Sequence, residues 1–305
     1  VDTRPTTDII THFDSIFLKN ANNVLVSFAR SGNSPESTAA INVVEKYCPK
    51  ICHVIVTCNR HGKVAELGRK KRNALPVLLS DETNDKGLAM TASFTAMVMA
   101  AQFLANIKNL TEYEQTIKNL SEAENRLLGD YSNLLKDVAD SGFERAFFLG
   151  SGCLYGCAME SSLKLQEMTD GKIMCKADTF LGVRHGPEAV INDRTLVVYL
   201  LSSELHIRKY ELDLMREIEN KNLGLTKIVV CDKANEEIKE NVNQTIEFDR
   251  EGKFNIPDFY RPIIDVTVGQ LFGLFKSLML GLKPDNPSKR GIINRVVKGV
   301  KIYNK

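Results

Sequence analysis

The chain has 305 residues, enough at about 150 per domain for two domains or one large α/β unit, either able to bury a core. With 43% hydrophobic and 26% charged residues, its composition is that of an ordinary globular protein, not a disordered, fibrous or membrane one. Forty Lys and Arg against 38 Asp and Glu leave a net charge of +2, and Trp is absent, which argues against a nucleic-acid binder, a membrane-surface binder or a base-stacking platform. Seven cysteines at irregular positions (48, 52, 58, 153, 157, 175 and 231) point to a reduced, cytoplasmic protein. The pairs Cys48/Cys52 and Cys153/Cys157 lack CxxC spacing and a partnering His, so neither a zinc site nor any other metal is expected. No run of about 18 apolar residues is present to span a membrane. The start, VDTRPTTDIITH, has no signal-peptide apolar region and no initiator Met, which suggests a start other than the natural one.

The first clear element is the apolar, β-branched run Val24 to Phe28, followed by ARSGNS and a helical pattern opening at Pro35. A second strand is predicted at His53 to Thr57 with a helix at Lys63 to Lys71, and a third at Leu75 to Ser80 leading to a long helix, Leu88 to Asn106. Strands alternating with helices predict βαβ crossovers and a parallel sheet covered on both faces. Residues 111–141 read as a connecting helix with an apolar stripe of Leu120, Leu127, Leu128, Leu134 and Leu135. The pattern then restarts: a strand at Ala146 to Leu149 ending in GSG, a helix from Tyr155 to Met168, and a loop through HGP. Strands follow at Thr195 to Leu201, Lys227 to Cys231 and Thr245 to Phe248, before a closing helix at Ile263 to Leu282. The expected organisation is an N-terminal α/β subdomain (1–110), a helical connection (111–144) and a C-terminal α/β subdomain (145–305).

The second half thus has four predicted strands before its closing helix and the first half three. If the halves are a duplicated unit, VLVSF matches the second strand of the later copy, and the first copy lacks its opening strand and helix. The competing reading is an asymmetric fold in which those elements never existed.

Three constellations carry chemistry. In Arg30-Ser31-Gly32-Asn33-Ser34, between a strand and a helix, Gly32 permits a tight turn and the two serines face the free N–H groups of a helix start, an anion cradle suited to phosphate. The plainer reading, favoured on this segment alone, is Ser34 as an N-cap followed by Pro at the first helical position. Glu160, Lys164 and Glu167, spaced by four and three, share one helix face. That is ordinarily a solvated ion-pair face, but the apolar residues around it (Leu154, Cys157, Leu163, Leu165, Met168) allow a semi-buried carboxylate suited to proton abstraction. His185, in Arg184-His185-Gly186-Pro187, is placed on an exposed turn, either as a surface residue or as an acid/base. His53 is assigned to the core or a sheet edge, His12, His61 and His206 to the surface. The basic tail with Lys289, Arg290, Arg295, Lys298 and Lys301 reads as a solvated end or as a lid over an anionic site.

Taken in order, SFARSGNSPES (27–37), DETNDKGLAMTASFT (81–95), GSG (150–152), ESSLKLQEMTDGK (160–172), LGVRHGP (181–187) and NRVVKGVKIY (294–303) resemble the sugar isomerase (SIS) family. Its double-domain members include the isomerase half of glucosamine-6-phosphate synthase. The closer resemblance is to the branch of tagatose-6-phosphate ketose/aldose isomerases and galactosamine-6-phosphate deaminases.

The resemblance implies two SIS subdomains, each a parallel sheet flanked by helices, and a cytoplasmic homodimer with shared sites acting on a sugar phosphate. It implies that Arg30, Ser31, Gly32, Asn33 and Ser34 hold the phosphate, with Thr91 lining the same site and Lys164 contacting substrate. Met90 stands where the synthase has a serine. Glu167 is the implied base moving a proton between C1 and C2, His185 assists ring opening, and Lys298 lies near the sugar carbonyl. No cofactor is implied, since proton transfer between adjacent carbons needs only a positioned base and charge stabilisation. The family's opening strand, with its Gly-Thr-Ser turn, has no counterpart here, and this leads to the expectation of an N-terminally shortened chain. The implied activity is an aldose/ketose isomerase, specifically a deaminase giving tagatose 6-phosphate and ammonia from galactosamine 6-phosphate; the alternative is a sugar-phosphate-binding regulator without catalysis.

Overall fold

The computed structural model describes residues 2–16, 22–297 and 299–303. The chain divides into two compact units, residues 1–101 with 290–305, and residues 102–289.

In the first unit, α1 (Thr6–Thr11) and α2 (Phe13–Ile16) precede β1 (Val24–Ala29), α3 (Pro35–Tyr47), β2 (Cys52–Thr57), α4 (Lys63–Lys70) and β3 (Ala74–Leu78). The strands form a parallel sheet in the order β1-β2-β3, with Val26 opposite Val54 and Val54 opposite Leu75. One face is packed: Val44 of α3 clusters with Leu25 and Ile51, while Ile41 and Val64 of α4 cluster with Ala29, Ile55 and Ala74. The alternate residues of β1 point the other way, as strand geometry requires. Val24, Val26 and Phe28 are 60%, 38% and 42% exposed. β2 carries His53 in the core, and burial holds its imidazole below the usual pKa. α5 (Ala92–Ala105) begins four residues later than the pattern predicts, and the division between the units falls within it. Its start is displaced because Asp85 captures the N–H groups of Thr91, Ala92 and Ser93.

The second unit opens with α6 (Leu110–Asp140), whose buried stripe is Tyr113, Leu120, Leu127, Tyr131, Leu135 and Val138; Leu128, expected within it, is 38% exposed. β4 (Arg145–Gly150), α7 (Cys153–Met168), β5 (Met174–Asp178), β6 (Thr195–Leu200), α8 (Leu205–Asn220), β7 (Thr226–Cys231), α9 (Glu236–Lys239), β8 (Gln244–Glu247) and α10 (Pro262–Met279) follow. All five strands are parallel, in the order β5-β4-β6-β7-β8. The sequence predicts four strands here. β5 was missed because its sequence, MCKAD, mixes charge into a short edge strand and lacks the apolar run that marks the others. The order β1-β2-β3-α5 in the first unit therefore matches β6-β7-β8-α10, and β6 is preceded by two strands, not one. α10 lies close against α7 because Gly269 and Gly273 present no side chain: a Cβ on Gly269 would come within 2.4 Å of Ser161 Cβ. Among the described residues no helix is long and apolar enough to cross a membrane.

Candidate functional site

The loop after β1 is shaped by two glycines. Gly32 has φ +62°, and a Cβ there would meet Val64 at 2.6 Å; one on Gly62 would meet the Ser31 carbonyl at the same distance. The carbonyls of the loop are tied back to the β2–α4 connection. Thr57 Oγ1 donates to Arg30 O (3.4 Å), Asn59 Nδ2 to Ser31 O (2.8 Å) and Val64 N to Gly32 O (3.1 Å). Asn33 Oδ1 accepts from Lys63 N, and Ser31 Oγ accepts from Asn33 N. Ser34 does stand at the N-cap of α3 with Pro35 in the first turn, yet its hydroxyl makes no capping bond and lies 2.7 Å from Ser37 Oγ. The start of this 13-residue helix is thus left without a side-chain cap, an arrangement receptive to an anion.

Arg30 is buried, and its guanidinium donates to Leu88 O (2.9 Å), Ala89 O (3.3 Å) and Arg295 O (2.6 Å). Arg295 in turn donates to Asp85 O and to Asn84 Oδ1. The tail's Arg295 is therefore a clamp on the 84–89 segment. Asp85 gathers Thr91 Oγ1 (2.8 Å) and Ser93 Oγ (2.5 Å) besides the backbone N–H groups. Burial alone would raise its pKa, but the bonds from Ser93 and Thr91 outweigh that and hold the carboxyl below its ordinary value. Thr91 is fixed by this cap. Lys298 lies outside the described residues. The positioning roles of Asn59, Asp85 and Arg295 were missed from sequence; the only available signal was the Asx spacing before a helix in DETNDKGLAMTAS.

In the second unit, α7 carries the charged triad. Lys164 is 2% exposed, its Nζ donating to Glu167 Oε2 at 2.8 Å and lying 3.2 Å from Glu160 Oε1. Both carboxylates are largely covered, at 16% and 25% exposure. The solvated-face reading fails here because α10 packs so tightly on α7: a Cβ on Gly273 would meet Met168 Sδ at 2.7 Å and the Lys164 carbonyl at 3.2 Å. Burial pushes the Glu160 carboxyl up, partly offset by Lys164. The other oxygen of Glu167, Oε1, has no hydrogen-bond partner among the described residues. His185 ends a one-turn 3-10 helix, Gly182–His185, and is exposed as expected, turned out by Gly186 at φ +124°. The second unit supplies an oriented carboxylate on a helix and an exposed imidazole, and the first an uncapped helix start with serine hydroxyls.

No family model matches the chain. The D-galactosamine-6-phosphate deaminase AgaS of Escherichia coli is 35% identical over 303 residues, covering 98% of this chain and 77% of that one. The chain belongs to the sugar isomerase (SIS) family. Two solved structures agree. A Clostridium novyi NT protein provisionally named a tagatose-6-phosphate ketose/aldose isomerase superposes with a TM-score of 0.95 at 36% identity, over 98% of this chain and 76% of that one. The Escherichia coli tagatose-6-phosphate ketose/aldose isomerase superposes at 0.89 and 30%, over 99% and 77%. The three- and five-stranded parallel sheets are thus those of a double-SIS member.

Proposed function

We propose that the chain is a sugar-phosphate isomerase and deaminase that converts galactosamine 6-phosphate to tagatose 6-phosphate and ammonia. The observation that carries this reading is Glu167, a carboxylate held by buried Lys164 with its other oxygen unbonded among the described residues, in a chain 35% identical to a galactosamine-6-phosphate deaminase.

Ser31, Gly32, Asn33 and Ser34 take the phosphate on their N–H and hydroxyl groups, and Arg30 and Thr91 hold the surrounding segment. His185 moves the proton that opens the ring. Glu167 removes the C2 proton to give an enolamine and returns it to C1, leaving an imine at C2. Water adds to that carbon and ammonia departs, so the net reaction consumes one water. Lys164 fixes the direction of the Glu167 carboxylate and meets the developing charge, and Lys298 acts near the sugar carbonyl. A homodimer in which the partner supplies His185 is part of the proposal, as is a cytoplasmic setting. The latter is supported by seven unpaired thiols, two of them exposed.

The test is ammonia release from galactosamine 6-phosphate by the purified protein. Glu167→Gln, which keeps the volume and the bond from Lys164, should lower kcat by about 100- to 10,000-fold. Retention of most of the activity would remove Glu167 from the reaction.

A further inference from the structure

The turn that carries His185 is anchored in the core only at its two ends. Val183 and Ile191 are buried in the cluster that includes Leu214, Met215 and Ile218 of α8, and Arg145 Nη1 donates to Val190 O (3.2 Å). Between these anchors His185 and Gly186 are exposed. Gly186 has a φ of +124°, which L side chains rarely adopt, so the turn passes through a position with no side chain to restrain it.

A row of alternating charge spans this gap. Arg184, immediately before His185, donates through Nε to Glu217 Oε2 (2.6 Å), and Glu217 Oε1 accepts from Lys221 Nζ (2.6 Å). The same ammonium donates to Glu188 Oε1 (2.7 Å), on the one-turn 3-10 helix Pro187–Val190 that follows. The two ends of the row therefore stand on either side of His185-Gly186-Pro187. Its two middle members, spaced by four, come from the last turn of α8 and its C-cap, on a helix held to the core by buried Leu214, Met215 and Ile218. Each oxygen of Glu217 has its own cation, and the bonds from Lys221 and Arg184 hold this carboxyl below its ordinary pKa.

Surface ion pairs contribute little to folding, and these four side chains are between 16% and 47% exposed, so stability explains the row poorly. What the row does, and an isolated pair does not, is restrain one short turn at two points from one helix. We infer that Glu217 and Lys221 are positioning residues for His185, holding the turn from Arg184 to Glu188 so that the imidazole is presented outward in a fixed place; the catalytic consequence rests on the role proposed for His185 above. Glu217 is the centre of the row because it bridges both cations, whereas Lys221 alone reaches Glu188.

Glu217→Ala removes that centre and suits a helix, Ala being the best helix former. Amide hydrogen exchange of the full chain, read by mass spectrometry, should quicken about 10-fold in the peptide spanning 182–190 and stay unchanged in that spanning 24–34. Lys221→Met should give a smaller change in the same peptide. For ammonia release from galactosamine 6-phosphate, Glu217→Ala should lower kcat about 10-fold and leave KM within about 2-fold, because the phosphate loop belongs to the other unit. In a His185→Ala background the same substitution should change kcat by less than about 2-fold, since a residue acting through His185 has nothing left to position. Unchanged exchange over 182–190 would overturn the inference whatever the activity. Unchanged kcat in an active parent protein, or a further loss of about 10-fold in the His185→Ala background, would overturn it as well, the latter by showing general damage to the fold. Faster exchange in that peptide, in a parent protein that releases no ammonia, would support the restraint of the turn and overturn the reaction proposed for it.

Discussion

β1 and β6 hold matching places in the chain order of the two units, β1 at the edge of its sheet and β6 at the centre of its own, and each ends in a serine-bearing loop before a helix, yet their surroundings are opposite. After β6, Ser202 Oγ and Ser203 Oγ both donate to Asp258 (2.5 and 2.6 Å), Ser203 N joins them, and Ser202 N donates to Glu211 Oε2. Asp258 is itself locked by the fully buried Arg261, which also pairs with Asp265. Internal carboxylates thus occupy the N–H and hydroxyl groups that an anion would need. After β1, the hydroxyls of Ser31 and Ser34 bond, among the described residues, only to Asn33 N and to Ser37 Oγ. The strands follow suit: every residue of β6 is buried, whereas β1 alternates exposed and half-buried. One copy of a shared plan has been spent on stability, and the other keeps its polar groups available.

The largest expected break in this comparison is Asp258→Ala. It removes one of the two carboxylates on the buried Arg261 guanidinium and leaves two serines without their acceptor, and should cost about 3–5 kcal/mol in urea unfolding. A loss below about 1 kcal/mol would mean the seal is not structural. Next is Glu124, whose carboxyl burial raises to about 7, with the Thr267 bond opposing and the nearby Asp265 charge adding to the rise. A carboxyl raised in the folded state favours folding while protonated. Its contribution is full below the unfolded value of 4.5 and is lost as pH climbs through about 7. Glu124→Gln should therefore gain up to about 3 kcal/mol at pH 8 and flatten stability between those limits, as read by denaturation at several pH values.

A smaller contrast tests the strands. Val198→Thr buries an unpaired hydroxyl in β6 and should cost about 2 kcal/mol, whereas Val26→Thr on exposed β1 should stay within about 0.5 kcal/mol. Thermal unfolding of the two variants side by side reads the difference. The mildest in energy, and the one that bears on function, is Ser31→Ala. It should reduce kcat/KM for galactosamine 6-phosphate about 10-fold, roughly 1.4 kcal/mol, with little change in unfolding. Ser202→Ala should do the reverse.

Much of this was legible in the sequence wherever a local signal coincided with the tertiary result. The apolar runs AFFL, TLVVYLL and KIVVC fold as strands because burial in a parallel sheet demands continuous apolar sequence, and VLVSF folds as a strand although only its alternate residues are packed. The spacing of Glu160, Lys164 and Glu167 placed them on one face of α7, and the apolar residues around them signalled that the face is covered. What failed to show was decided by distant partners. β5 is a strand because β4 offers it an edge, not because MCKAD prefers one. Leu128 lies at the margin of the α6 stripe, where a helical repeat alone does not say which leucine faces out. Arg295 reads as one more cation of a basic tail, and only its bonds to Asn84 and Asp85 give it a function.

Those bonds have a consequence for how the molecule is made. Arg30 and Arg295 are 265 positions apart, and the residues between them include the whole of the second unit. During vectorial synthesis that unit has its full sequence, and is free to fold, before the clamp on the 84–89 segment can close. This neighbour of the β1–α3 loop arrives after the second unit, so a nascent chain released short of Arg295 should carry a folded second unit and an unfinished first one.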